Sequence, residues 1–98
     1  MTVGLFGTFL AGEGQRDELV GQLLRATAFL HDDPACLQYV VGTHGEREVS
    51  IFELWDDEAA HDSSLEREDI RRIINVARPL IATMSSQTRL EVHGGKGM

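Results

Sequence analysis

Cysteine is almost missing from this chain. Cys36 stands alone, so no internal disulfide can staple the fold, and a reducing compartment, the cytoplasm, is the expected setting. Cations are scarce as well: Lys96 is the only lysine, and nine lysine and arginine side chains face sixteen acidic ones, for a formal net charge of −7. Phosphate backbones and anionic membrane surfaces are held by clustered cations, so neither nucleic acid nor a membrane is an expected partner. No run approaches the ~20 apolar residues needed to cross a bilayer, and the N-terminus lacks the basic-then-apolar order of a secretory signal. No H-x-H, H-x-x-x-H or C-x-x-C pair occurs, which argues against a metal site. Ninety-eight residues leave room for one domain, expected over 1–98 with Gly94–Met98 as a flexible tail.

What is present falls into alternating periods. Val3 to Ala11 is a β-rich run closed by Gly12-Glu13-Gly14, a turn signal. From Gln15 to Leu30 the period becomes helical: Leu19, Val20, Leu23, Leu24, Ala26, Thr27 and Leu30 share one arc, with Glu18, Gln22 and Arg25 opposite. Pro34 closes that segment. Cys36–Gly42 and Glu48–Trp55 then read as a hairpin. A two-residue turn would put Cys36, Gln38 and Val40 on the face of Ile51, Glu53 and Trp55. A three-residue loop would put Leu37, Tyr39 and Val41 there instead. Asp56-Asp57-Glu58 opens a short helix through His61, and Ser63-Ser64-Leu65-Glu66 matches a capping box, predicting a bend and a restart. Ile70, Ile73, Ile74, Ala77, Leu80, Ile81 and Met84 form a helical stripe that Pro79 interrupts, predicting a kink or a fresh start near Arg78. Thr88–His93 alternates and reads as a last strand.

The order β-α-β-β-α-β predicts an α+β fold of the ferredoxin-like type, a four-stranded antiparallel sheet with both helices on one face. In the first three strands, apolar residues point both ways: Val3, Leu5 and Phe9 against Phe6 and Leu10, and Ile51 and Trp55 against Phe52 and Leu54. Two helices cover one face. Leaving the other in water exposes side chains worth roughly 1.5–3 kcal/mol each on burial, so a homodimer formed by stacking the uncovered sheets is expected, the alternative being a monomer whose second face is partly covered by its tail and loops.

Few side chains offer chemistry. His61 can take a proton near neutral pH, or be a solvated helix histidine. His31, His44 and His93 fall at a helix end, a turn and the chain end. Glu53 sits in an otherwise apolar strand, where a buried carboxylate needs a partner or a raised pKa. Arg78 or Gln38 would supply the partner, and the alternative is a role in proton transfer. Tyr39 is either a dimer-face aromatic or a cavity donor, and Trp55 a core plug or a cavity wall. Among Arg71, Arg72 and Arg78, only Arg78 borders the apolar arc and could reach a ligand anion.

The segment Glu53-Leu54-Trp55-Asp56-Asp57-Glu58-Ala59-Ala60-His61, an E-x-W followed by an acidic turn and a short helix, resembles the antibiotic biosynthesis monooxygenase family. Glu13–Leu19 and Asp33-Pro34-Ala35-Cys36-Leu37-Gln38-Tyr39 are similar to that family's first-helix opening and second-strand entry, with Ala35 in place of the usual Gly. The likeness runs from Leu5 to Met84. It implies a small dimer with a cavity between helices and sheet, and oxidation of a small phenol or quinol by molecular oxygen with no cofactor. In that scheme His61, or Glu53 acting alone, removes the phenolic proton, Trp55, Leu65, Ile73 and Ala77 shape the cavity, and Tyr39 and Arg78 complete the substrate contacts. The chain departs from the pattern where many members carry histidine nine residues past the tryptophan, because Ser64 stands there. Gly7 or Thr8, and Leu65, occupy the places of the Asn and His of haem-degrading relatives, so haem is not expected. The competing readings are a non-catalytic small-ligand binder or structural dimer, and a cofactor-free isomerase.

Overall fold

The computed structural model describes all 98 residues. Its elements are β1 (Val3–Ala11), α1 (Arg16–Leu30), β2 (Cys36–His44), β3 (Glu48–Trp55), α2 (Glu58–Ser64), α3 (Glu68–Ala77), a 3₁₀ turn (Arg78–Leu80) and β4 (Ile81–Glu91). The four strands form one antiparallel sheet in the order β2-β3-β1-β4, the ferredoxin-like arrangement.

The hairpin register is the second of the two open alternatives. His44 pairs with Glu48 across the loop Gly45-Glu46-Arg47, and Gly45 adopts φ 66°, a left-handed conformation that side chains resist. Tyr39 therefore lies opposite Glu53, and Val41 opposite Ile51. A bulge between Cys36 and Gln38 absorbs one residue, so that Cys36 returns to lie opposite Trp55.

Two expectations are corrected in the C-terminal third. The apolar stripe does not continue as a helix to Met84: α3 ends at Ala77, and β4 starts at Ile81 rather than at Thr88. Pro79 is the cause. It lacks the N–H that would bond back along the helix, a 3₁₀ turn replaces the next helical turn, and Ile81 is already extended. The Ser63–Glu66 capping box is not built either. The Ser64 hydroxyl donates to the His61 carbonyl at 2.6 Å, within α2, while α3 opens after Arg67 with no side-chain cap. The bend itself is present between Ser64 and Glu68.

Cross-strand pairing sorts the sheet into two faces. Tyr39–Glu53–Leu5 and Val41–Ile51–Gly7 form rows on the helix-covered face, and Val40–Phe52–Phe6 forms a row on the other. The covered side holds two separate apolar clusters. One gathers Val3, Leu5, Ala26, Leu30, Trp55, Ile70 and Ile73, the other Ala11, Leu19, Leu23, Val49, Ala77 and Leu80. Each fully buried side chain of this size, such as Leu19 or Val49, contributes roughly 1.5–3 kcal/mol. Beyond Ile81 every residue of β4 is exposed, so the side of the covered face next to β4 is open. No helix is long and apolar enough to cross a membrane.

Candidate active site

A cavity of about 300 Å³ lies where the two apolar clusters meet. Leu23, Ala26 and Leu30 of α1 and Ile70, Ile73 and Ala77 of α3 form its roof. Part of the floor is a missing side chain. Gly7 sits between Ile51 and Gln87 in the sheet, both of which line the cavity. A Cβ placed on Gly7 would meet nothing closer than 3.5 Å, so the space above it is empty for want of a residue rather than for want of room.

The polar groups enter from β2, β3 and α2. The end of β3 places Glu53 and Trp55 on one face, two residues apart. Asp57 then caps α2, its carboxylate accepting from the Ala60 amide at 2.7 Å. That cap sets the first turn of the helix, which returns His61 over the indole: the two rings meet edge to face, centroids 5.6 Å apart and planes at 75°. Trp55 Nε1 donates to Glu53 Oε1 at 3.1 Å, and His61 Nε2 faces the same oxygen at 3.9 Å. The latter distance is too long for a hydrogen bond but close enough for strong electrostatic interaction in a site of low polarity.

Burial pushes the Glu53 carboxyl above its ordinary range, with the Trp55 N–H and the nearby His61 acting in the opposite direction. Tyr39, across the sheet from Glu53, is also driven up by burial and then by the carboxylate's charge, so it remains a protonated phenol and a donor. Cys36 is pushed up to about 11 by burial, Glu53 and Asp33, which makes it an inert thiol rather than a nucleophile. His61 exposes 12% of its side chain, and its Nδ1 lies 3.3 Å from Asp62 Oδ1. In the tautomer that carries its proton on Nδ1, toward that carboxylate, Nε2 is the basic nitrogen. The site thus brings a carboxylate, an imidazole and a neutral phenol donor to a chamber whose remaining lining is apolar apart from Ser64, Arg78 and Gln87. No three His, Cys, Asp or Glu side chains converge in a metal-holding cluster.

Of the residues singled out by sequence, Tyr39, Glu53, His61, Leu65, Ile73, Ala77 and Arg78 line this cavity. Trp55 does not. It is fully buried behind the wall, where it holds Glu53. Neither Arg78 nor Gln38 bonds to Glu53; the indole N–H does. Gln38 pairs instead with Leu54, in the row that alternation puts on the uncovered face. Sequence reasoning missed Gln87, because it fell between a helix read too far and a strand begun too late. It also passed over Leu23, Ala26 and Leu30, although their helical arc already pointed inward. A wider groove of about 550 Å³ runs past Met1, Asp57, Glu58 and Arg89, but there Arg89 and Glu58 are ion-paired with each other.

The sequence profile of a family described as antibiotic biosynthesis monooxygenase matches residues 2–76. Among solved structures, a candidate antibiotic biosynthesis monooxygenase from Chloroflexus aurantiacus J-10-fl is 32% identical, with 99% of this chain and 98% of that one aligned at a TM-score of 0.91. A protein of Caulobacter crescentus CB15 bearing the same description is 16% identical over 95% and 91% of the two chains, at a TM-score of 0.86. SnoaB, a cofactor-independent oxygenase from Streptomyces nogalater solved as a point variant, shares the fold at 14% identity, with 99% and 98% coverage and a TM-score of 0.82. No curated protein matches the chain.

Proposed function

The chain belongs to the antibiotic biosynthesis monooxygenase family, and from that premise we propose that it is a cofactor-independent monooxygenase acting on a small phenol or quinol. One observation carries the reading: a buried carboxylate of raised pKa and a histidine nitrogen share the wall of an apolar cavity. Oxidation of an electron-rich hydroxyarene asks a protein for those features. A base removes the phenolic proton, the anion is held away from bulk water, and oxygen reaches it.

Glu53, with His61 beside it, accepts the hydroxyl proton. The resulting aryloxide passes one electron to dioxygen, and the radical pair joins at a hydrogen-bearing ring carbon ortho or para to the oxygen. Return of the proton gives a hydroperoxide. Loss of the hydrogen on that same carbon, with cleavage of the O–O bond, releases water and leaves a second carbonyl. One oxygen atom enters the ring and the other leaves as water, with the ring losing two hydrogens. Tyr39 donates to the substrate oxygen in this scheme, and Trp55 positions Glu53 without touching the substrate.

The test is oxygen uptake with a panel of dihydroxynaphthalenes and hydroquinones, compared among wild type, Glu53→Gln and His61→Ala. Uptake matched by quinone, without peroxide release and dependent on Glu53, supports the reading. Bound substrate with no uptake contradicts it. A second reading, a cofactor-free isomerase, draws on Tyr39 being held protonated opposite Glu53, an acid and a base on one substrate. Product formed under nitrogen would mark it.

The same reading includes a homodimer. Phe6, Phe52 and Val40 share a row on the uncovered face, with Phe6 43% and Val40 53% exposed. A second copy offers the same patch about a two-fold axis, and sedimentation at micromolar concentration tests it.

A further inference from the structure

The proton acceptors occupy one end of the cavity, and the other end carries a positive charge without a partner. Arg16, Arg25, Arg47, Arg67, Arg72 and Arg89 each hold an oxygen of the protein. Arg71 and Arg78 hold none, and of the two only Arg78 lines the cavity. In a chain of net charge −7, with so many carboxylates to choose from, a free guanidinium at a cavity mouth points to an acceptor supplied from outside. Gln87, also exposed at the mouth and also lining the cavity, makes no side-chain hydrogen bond either.

The register sets the spacing. Glu53 lies opposite Leu5, Gln87 opposite Gly7, and Ile81 opposite Ala11. At about 3.3 Å per residue, the Gln87 row is about 7 Å along the sheet from Glu53, and the Ile81 row about 20 Å. Arg78 precedes Ile81 by three residues, at the end of α3, so its guanidinium serves the end opposite Glu53. Between the two lie Ile51, Ile74 and Phe9, an apolar stretch suited to a flat ring system. A volume of about 300 Å³ is at the low end for small-molecule sites, and it suits one or two fused rings.

We propose that the ligand is a two-ended hydroxyarene carboxylate, its ring hydroxyl at Glu53 and His61 and its carboxylate at the mouth, paired with Arg78 and accepting from the Gln87 amide. Guanidinium is the side chain best shaped for a carboxylate. The inference rests on the cavity being the substrate site and adds a second anchoring point to it.

Anaerobic titration calorimetry with 6-hydroxy-2-naphthoate and 2-naphthol tests it, since the two probes differ only in the carboxylate. In wild type the carboxylate compound binds about ten-fold tighter, as expected for a partly exposed charged pair, despite the chain's overall negative charge. In Arg78→Gln the ratio of affinities falls to about one, Arg78→Lys retains part of it, and Gln87→Leu lowers it about two- to three-fold. The melting temperature of each variant is measured alongside. If Arg78→Gln does not fold, the wild-type ratio at low and high salt decides the matter, because a charge-based preference shrinks with screening. Equal affinities in wild type, a ratio unchanged in Arg78→Gln or by salt, or no binding of either compound overturns the proposal. Selective binding without oxygen uptake would instead retire the monooxygenase reading and leave the anchor standing, and uptake with no carboxylate preference would do the reverse.

Discussion

The two faces of the sheet are built from the same strands and alternate residue by residue, yet they do different work. On the covered face, Tyr39, Glu53 and Gly7 interrupt the apolar rows and surround a cavity. On the uncovered face, the row Val40–Phe52–Phe6 is apolar until it meets Thr88 on β4, and its neighbour holds Thr8 and Ser50, bonded to each other at 2.8 Å. Thr8 and Ser50 satisfy each other. On the covered face the Trp55 N–H reaches one carboxylate oxygen of Glu53, and no protein donor reaches the other. An unpaired carboxylate oxygen beside a cavity is free to accept from a ligand. Alternation along a strand allows both arrangements on one sheet, because each substitution touches one face only.

The contrast breaks most sharply at Glu53. Glu53→Gln keeps the shape and removes the base, and oxygen uptake should fall by about 10²–10⁴-fold, with dimerisation untouched. Phe6→Asp should do the opposite: a charge placed in the apolar row opposes burial and should weaken self-association by at least about a hundred-fold, read by analytical ultracentrifugation. Gly7→Val tests the floor of the cavity. Its Cβ is tolerated and valine favours strands, so stability should hold within about 1 kcal/mol. Naphthol affinity should nonetheless fall about ten-fold or more as the side chain fills the space.

A smaller effect concerns pH. Because Glu53 has a higher pKa folded than unfolded, the native state binds the extra proton. Stability from this group is present in full below the ordinary carboxylate value of 4.5, and it is lost as pH rises from there through the raised folded value. Glu53→Gln should therefore flatten the decline, with melting temperature at pH 7 closer to that at pH 4.5 than in wild type. A parallel decline in both proteins would place the titrating group elsewhere.

Much of this arrangement was legible in the chain. The E-x-W spacing put Glu53 and Trp55 on one face, the acidic turn positioned α2, and the arc of α3 picked out Ile73 and Ala77. Three things were not legible, each for a physical reason. Ile81 and Met84 fall by chance on the helical period of the preceding residues, and Pro79 alone marks the change; reading past it hid Gln87 in an unassigned gap. The hairpin accepts either a two- or a three-residue loop around Gly45, and a one-residue change moves Tyr39 from one face to the other. Trp55 could be a core plug or a cavity wall, and nothing in its type or parity separates a lining residue from one directly behind it. That distinction depends on His61 returning over the indole, which is a matter of tertiary packing.

The central claim is that ligand enters on the covered face, beside Glu53. Trp55 is the only tryptophan, so its indole N–H gives one resonance in a ¹H–¹⁵N spectrum, and that N–H is bonded to Glu53. Titrating 2-naphthol into labelled protein should shift this peak saturably, while the amides of Phe6, Phe52 and Val40 move little. A static indole peak with shifts concentrated in those three residues would place the ligand on the wrong side of the sheet and contradict the account.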